Sequence, residues 1–161
     1  MALLGIGADA PDIEARRRDG STLQLSSLRG RHVLVYFYPK DDTPGCTAEA
    51  CSLNDNLSAL TESGADVIGV SSDSWDSHQR FSEKYGLEFA LASSGDGSVR
   101  RAYGVGKLMG VLPVTQRVSF LIGPDGQVAH VWPRVSASRH ALEVLAEVRR
   151  RTGTEPAAQP A

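Results

Sequence analysis

The sequence has few cysteines and no excess of charge of either sign. Two cysteines among 161 residues exclude a framework of structural disulfides. A pair of thiols at short spacing is instead typical of a catalytic or a metal-binding role. Seventeen basic residues stand against nineteen acidic ones, which leaves a net charge of -2. Because nucleic-acid-binding domains carry a basic surface, this balance argues against a nucleic-acid partner.

Long apolar runs are also missing. No stretch approaches the roughly 20 apolar residues that a membrane helix needs, and residues 1–11 lack the basic start of a secretory signal. We therefore expect no membrane association and a cytoplasmic, reducing location. The length predicts one domain over residues 1–151. Residues 152–161 are small, polar and proline-containing, and they predict a disordered tail.

The stretch from Tyr38 to Cys51 is the most informative part of the sequence. It leaves an apolar strand predicted over residues 33–38 and crosses a turn rich in aspartate, proline and glycine. It then enters an amphipathic helix, predicted from about residue 46 to residue 63. Cys46 therefore lies at a helix N-terminus, where free N–H groups and partial positive charge favour the reactive thiolate. Cys46 is a candidate nucleophile.

The turn before Cys46 carries residues that suit a reactive site. Thr43 brings a hydroxyl that can both donate and accept hydrogen bonds. Pro39 and Pro44 stiffen the turn, and Gly45 leaves room for a close approach to the backbone.

Cys51 follows Cys46 by five residues, and helix geometry gives this spacing a meaning. In an intact helix the two Cα atoms are roughly 8.7 Å apart, whereas a disulfide needs them within about 7 Å. The pair can bond only if the first turns of the helix unwind. Cys46 heads the apolar stripe of Ala50, Leu53, Leu57 and Leu60, while Cys51 shares the polar face with Asn54, Asp55, Ser58 and Glu62.

The turn and the cysteine match a known motif. Pro39, Thr43 and Cys46 fit the pattern Pro-x-x-x-Thr-x-x-Cys of peroxiredoxins, and residues 36–51 resemble the subgroup called peroxiredoxin Q or bacterioferritin-comigratory protein. The resemblance implies that Cys46 attacks hydrogen peroxide or an organic hydroperoxide and becomes a sulfenic acid. It further implies that Cys51 resolves this acid to an intramolecular disulfide, which thioredoxin or a similar dithiol reductant reopens.

The resemblance extends to other site residues. The family places an arginine at the start of a strand in the pattern Arg-x-Thr/Ser-Phe, which residues 117–120 match, so we expect Arg117 to hold the thiolate and to polarise the peroxide. Glu49 either orients polar groups at the site, as in the family, or is a first-turn carboxylate that complements the helix dipole. Tyr38 either lines the pocket or belongs to the core. No metal or organic cofactor is expected.

The order of the elements predicts an α/β fold. A strand, the helix after Cys46 and a second strand over residues 66–71 make a parallel βαβ unit. Residues 118–132 predict a hairpin, and residues 138–151 predict a closing helix that buries Ala141, Leu142, Leu145 and Val148. Residues 104–115 predict an irregular loop. This order suggests a thioredoxin-like fold, as the resemblance also implies, with a central mixed sheet flanked by helices.

Three other functions remain open on the residues alone. A thiol-disulfide oxidoreductase usually has two residues between its cysteines, and here there are four. A zinc site is disfavoured because the four histidines lie on different elements without ligand spacing. A redox-sensing or holdase protein would bind a partner only when oxidised, with negligible peroxide turnover. Because both cysteines lie in one chain, catalysis needs no dimer, and we expect a monomer.

Overall fold

The computed structural model describes residues 2–106 and 116–153. Most of the predicted loop at 104–115, and the predicted tail from residue 154 onward, lie outside these residues. The strands are β1 (Glu14–Arg16), β2 (Thr22–Gln24), β3 (His32–Phe37), β4 (Ala65–Ser71), β5 (Ala90–Ser93), β6 (Val118–Ile122) and β7 (Val128–Trp132). The helices are α1 (Pro44–Asp55), α2 (Leu57–Glu62), α3 (Trp75–Tyr85), α4 (Ser98–Ala102) and α5 (His140–Thr152), with a 3-10 turn at Leu25–Leu28.

The seven strands form one mixed sheet in the order β2-β1-β5-β4-β3-β6-β7. β3, β4 and β5 run parallel, whereas β6 pairs antiparallel with β3, and β1 pairs antiparallel with β5. The predicted βαβ unit and the predicted hairpin are both confirmed. The chain leaves β3 and β4 at the same edge of the sheet, where open α/β sheets usually bind ligands.

β3 is buried along its whole length and separates two halves of the core. Its alternate side chains point to opposite faces. Leu34 and Tyr36 pack in one cluster with α1, α2, α3 and α5, and Val35 and Phe37 pack in the other with α4 and the residues before β1. Cys46 belongs to the first cluster, so the candidate nucleophile lies against the hydrophobic core.

Two helix predictions were wrong in detail. The single helix expected from residue 46 to 63 is two helices, because the backbone of Asn56 departs from helical geometry (φ -98°, ψ 5°). The Asn56 side-chain amide donates to the Ser52 carbonyl at 2.8 Å at this point. Leu142 was expected to be buried, yet it is 62% exposed, and Val144 takes the inward position on α5. Within the described ranges, no helix combines the length and the hydropathy that crossing a membrane requires.

Candidate active site

Cys46 lies in the first turn of α1, as predicted. The helix starts two residues earlier than expected: Thr43 is the N-cap residue with extended backbone (φ -95°, ψ 154°), and Pro44 takes the first helical position. Cys46 is therefore the third helical residue, close to the unpaired N–H groups of the helix start. Its thiol is free and the residue is only 1% exposed.

Arg117 contacts the sulfur of Cys46, although the two residues are 71 positions apart. Its Nη2 donates to the Cys46 Sγ at 3.1 Å. Arg117 directly precedes β6, and β6 pairs with β3, the strand that leads into the turn before α1. Strand pairing thus brings the guanidinium to the helix start, where its positive charge faces the sulfur of Cys46.

Glu49 holds the other side of the same guanidinium. Its Oε1 accepts a hydrogen bond from the Arg117 Nη1 at 2.9 Å, which supports the predicted orienting role. Since α1 begins at Pro44, Glu49 is the sixth helical residue and lies outside the first turn, so the helix-dipole interpretation is wrong. Burial raises the pKa of Glu49 to about 7, against the lowering effect of Arg117. Its Oε2 is buried and has no hydrogen-bond partner among the described residues.

Gly45 makes the contact between Arg117 and the thiol possible. A Cβ atom at residue 45 would lie 2.7 Å from the Arg117 Nη2, well inside van der Waals contact. The sequence indicated that Gly45 leaves room near the backbone, and the guanidinium is what occupies that room.

Tyr36 is a site residue that the sequence analysis did not single out. Its side chain is buried, and within the described part of the chain its hydroxyl has no hydrogen-bond partner. Burial, and then the nearby Glu49 and Cys46, hold its pKa well above the usual value, so the phenol stays protonated. Gly69 on β4 leaves space for the ring, since a Cβ there would lie 2.9 Å from it. This glycine inside a strand was the available signal.

Thr43 and Pro39 are half-buried in the turn before α1. The Thr43 hydroxyl donates to the Lys40 carbonyl at 2.9 Å, so its hydrogen is used within the turn and its lone pairs remain as acceptors. Among the residues that the structure describes, no hydrogen bond joins the Thr43 hydroxyl to the sulfur.

Cys51 lies on α1 with an intact helix between it and Cys46. Both thiols are free, and helix geometry keeps their Cα atoms about 8.7 Å apart. Cys51 is half-buried, whereas Cys46 is fully buried, as the two faces of the helix predicted. Burial, and then the charge of Asp55, raise the pKa of Cys51, so it is a neutral thiol at neutral pH.

Tyr38 belongs to the core, where it anchors a second polar cluster. It is 1% exposed, and its hydroxyl donates to the Asp41 Oδ1. The Asp41 Oδ2 faces the Nδ1 of His78 at 2.7 Å and accepts from the Ser77 hydroxyl at 2.9 Å. The other His78 nitrogen, Nε2, lies 2.9 Å from the Ala92 carbonyl. We call the side chains of Tyr38, Asp41, Asp73, Ser77 and His78 the Asp41 network.

Asp73 ties this network to the turn before α1. Its Oδ2 accepts from the Asp41 backbone N–H at 2.8 Å and from the Ser71 hydroxyl at 2.6 Å. One potential ligand atom each from Asp41, Asp73 and His78 lies within 4.8 Å of the others, a spacing that a metal ion would accept. These atoms already face hydrogen-bond partners, so the network fits a structural role better than a cation site.

Asp42 fixes the same turn from outside. Its backbone is in the left-handed region (φ 58°), which is uncommon for a residue other than glycine. Its carboxylate accepts from the Lys84 Nζ at 2.8 Å and from the Tyr85 hydroxyl at 2.6 Å, and both donors lie at the end of α3. The turn that positions Cys46 is therefore held against α3 on two sides.

Comparison with known proteins adds to this geometry. Residues 6–131 match the AhpC/TSA family. The chain is 40% identical over 149 residues to the peroxiredoxin Bcp of Escherichia coli, and the alignment covers 90% of this chain and 96% of that protein. The structure of the Xanthomonas campestris bacterioferritin comigratory protein superposes with a TM-score of 0.79 at 34% identity, over 94% of this chain and 99% of that one.

A second solved structure gives the same result. The peroxidoxin BcpB of Mycobacterium tuberculosis superposes with a TM-score of 0.81 at 32% identity, over 91% of this chain and 97% of that one. The predicted thioredoxin-like fold, with a mixed sheet and flanking helices, is confirmed. These comparisons favour a peroxidase over the redox-sensing alternative.

Proposed function

Because the chain belongs to the AhpC/TSA family and is a thiol-dependent peroxidase of the Bcp and peroxiredoxin Q kind, we propose that Cys46 is the thiol that attacks the peroxide. The contact between the Arg117 guanidinium and the Cys46 Sγ carries this assignment. The thiolate attacks one oxygen of the peroxide, an S–O bond forms and the O–O bond breaks. The leaving alkoxide or hydroxide takes up a proton, and Cys46 becomes a sulfenic acid.

Arg117 and Thr43 hold the peroxide in line with the sulfur. The guanidinium carries several donors that polarise both peroxide oxygens and stabilise the charge that develops on the leaving oxygen. Because the Thr43 hydroxyl donates to the Lys40 carbonyl, it accepts the hydrogen bond from the peroxide O–H. Gly45 and Glu49 fix the guanidinium, and Pro39 stiffens the turn.

Cys51 resolves the sulfenic acid. The two Cα atoms are too far apart for a disulfide while α1 is intact, so α1 unwinds between Cys46 and Cys51. The Cys51 thiol then displaces the sulfenic oxygen as water, and an intramolecular disulfide forms. Because both cysteines are on one helix, we propose that the monomer is the working unit of one domain over residues 1–151.

The physiological partners follow from the disulfide. A thioredoxin-like dithiol reductant reopens it, and we propose thioredoxin itself, acting in the cytoplasm where thiols are kept reduced. The Xanthomonas campestris bacterioferritin comigratory protein has alkyl peroxide reduction activity. We therefore propose that organic hydroperoxides are substrates together with hydrogen peroxide.

The test is peroxide consumption coupled to thioredoxin and its reductase, for the native chain and for the Cys46→Ser and Cys51→Ser variants. Turnover should vanish in Cys46→Ser. Cys51→Ser should consume one equivalent of peroxide and then no longer be recycled through thioredoxin. A fully reduced native chain that consumes no peroxide would overturn the assignment, and so would turnover that survives the loss of Cys46.

A further inference from the structure

Two acidic groups share one guanidinium in the buried site. The Arg117 guanidinium donates to the Cys46 Sγ at 3.1 Å and to the Glu49 Oε1 at 2.9 Å. Cys46 and Glu49 are each 1% exposed. If both were ionised, two buried negative charges would face one positive charge, and the excess charge would lack the solvent that it needs.

The hydrogen bonds of Glu49 also argue against two ionised groups at this site. An ionised carboxylate needs donors for both oxygens, yet the Glu49 Oε2 is buried and finds none in the described part of the chain. From β3, Tyr36 faces this site as a protonated phenol. From α5, the titratable buried group is His140, whose pKa burial lowers to about 4, so it contributes no charge at neutral pH.

We propose that Cys46 and Glu49 hold one proton between them. While Cys46 is a thiolate, Glu49 is a neutral carboxylic acid, and Glu49 loses its proton when Cys46 is oxidised. This inference rests on the proposed role of Cys46. Glu49 is in this account a positioning residue that acts through Arg117. The negative charge opposite the guanidinium passes from the sulfur to the carboxylate, and Arg117 keeps one counter-ion throughout.

The protons balance. The thiolate attacks the peroxide, the O–O bond breaks, and the leaving hydroxide takes up one proton to form water. Glu49 gives up one proton in the same step, so no net proton is taken from solvent. Burial already raises the pKa of Glu49 to about 7, and a neighbouring thiolate, as a like charge, raises it further. Oxidation of the thiolate to a neutral sulfenic acid removes that second effect.

Proton uptake in weakly buffered solution tests this directly. Reduced Cys51→Ser protein, which stops at the sulfenic acid, is mixed with one equivalent of hydrogen peroxide and a pH indicator at about pH 8, one unit above the pKa of Glu49. We expect close to zero protons taken up per peroxide consumed. The same protein with Glu49→Gln should take up about one proton more, since glutamine has none to release. The exposed Glu62→Gln is the matched control and should behave as the parent protein.

Two further readouts keep the proposal falsifiable. At about pH 6, below the pKa of Glu49, the parent protein should take up about one proton, because Glu49 stays protonated in both states. Infrared difference spectra at the higher pH should show a protonated carboxyl C=O band that is lost on oxidation, a readout that needs no change at Glu49. Equal proton uptake by the parent and Glu49→Gln, or no lost carboxyl band, would overturn the shared proton. Failure to consume one equivalent of peroxide would overturn the role of Cys46 instead.

Discussion

Two buried polar clusters lie near the turn between β3 and α1, and they differ in how completely they are hydrogen-bonded. In the Asp41 network, both oxygens of Asp41 and both ring nitrogens of His78 have partners. In the cluster of Cys46, Glu49 and Arg117, which we call the thiol cluster, the Glu49 Oε2 has no partner among the described residues. The nearby Tyr36 hydroxyl likewise has none there.

This difference indicates a structural role for the Asp41 network and a chemical role for the thiol cluster. A completely partnered buried network rigidifies its surroundings, because any rearrangement leaves a polar group unsatisfied. A cluster with spare hydrogen-bonding capacity can exchange a partner during a reaction. The Asp41 network holds the turn in place, and the thiol cluster changes its charges within it.

Among variants that keep both cysteines, the largest effect on catalysis is expected at Arg117. Arg117→Met keeps much of the side-chain volume but removes the cation, so the rate constant for oxidation of Cys46 should fall by about 10²–10³-fold. Stopped-flow mixing of the reduced variant with hydrogen peroxide measures it. Arg134→Met, on an exposed arginine, is the control and should leave the rate unchanged. A fall of less than threefold in Arg117→Met would remove Arg117 from the thiol cluster.

A substitution in the Asp41 network should lower the stability of the protein and leave the rate of its reaction with peroxide nearly unchanged. His78→Gln leaves the Asp41 carboxylate buried without its ring partner, which should lower the free energy of unfolding by about 3 kcal/mol. The peroxide rate per folded molecule should stay within about twofold of native. Urea denaturation and stopped-flow kinetics on the same sample separate the two. A large loss of rate in a fully folded His78→Gln variant would contradict the division between the clusters.

Glu49 should make stability depend on pH. Its pKa in the folded protein, about 7, is above the ordinary value of 4.5, so the folded state binds this proton more tightly than the unfolded chain does. The native chain therefore loses stability as pH rises between these values. The comparison uses a Cys46→Ser background, which carries no thiolate. From about pH 5.5 to pH 8, the free energy of unfolding of Glu49→Gln should rise by about 2 kcal/mol relative to that of its parent, because only the parent loses the stability that Glu49 contributes. A difference that does not change with pH would show that Glu49 has an ordinary pKa.

Gly45→Ala should lower the rate of Cys46 oxidation less than Arg117→Met does. The added Cβ would lie 2.7 Å from the Arg117 Nη2 and should displace the guanidinium from the sulfur. Alanine is also the better helix former, so stability should not fall for helical reasons. We expect roughly a tenfold lower rate of Cys46 oxidation. Gly5→Ala, where the structure leaves open space, should have no effect on the same rate.

The sequence predicted the local parts of the site well. Cys46 at a helix start, Cys51 on the opposite face and the parallel βαβ unit all follow from short-range periodicity and turn residues, and all three are present. The position of Arg117 beside Cys46 is a contact across the sheet that periodicity cannot predict. The Arg-x-Ser-Phe motif suggested it, and the pairing of β3 with β6 accounts for it.

The errors and omissions have physical causes. The helix after Cys46 is interrupted because the backbone of Asn56 departs from helical geometry, a local effect that an apolar stripe does not reveal. Leu142 is exposed because the inward stripe of α5 runs through Ala141, Val144, Leu145 and Val148, and residue 142 lies about 100° from Ala141 around the helix. The Asp41 network was missed because Asp41 and His78 are 37 residues apart and meet only after β3, β4 and α3 have packed.

Mapping the oxidised cysteines after one equivalent of peroxide tests the central claim most directly. Fully reduced native protein is treated with hydrogen peroxide, digested without reductant and examined by mass spectrometry, with a dimedone trap for sulfenic acid in the Cys51→Ser variant. We predict a Cys46–Cys51 disulfide within one chain in the native protein and a dimedone adduct on Cys46 in the variant. Oxidation of Cys51 with Cys46 unmodified would contradict the account.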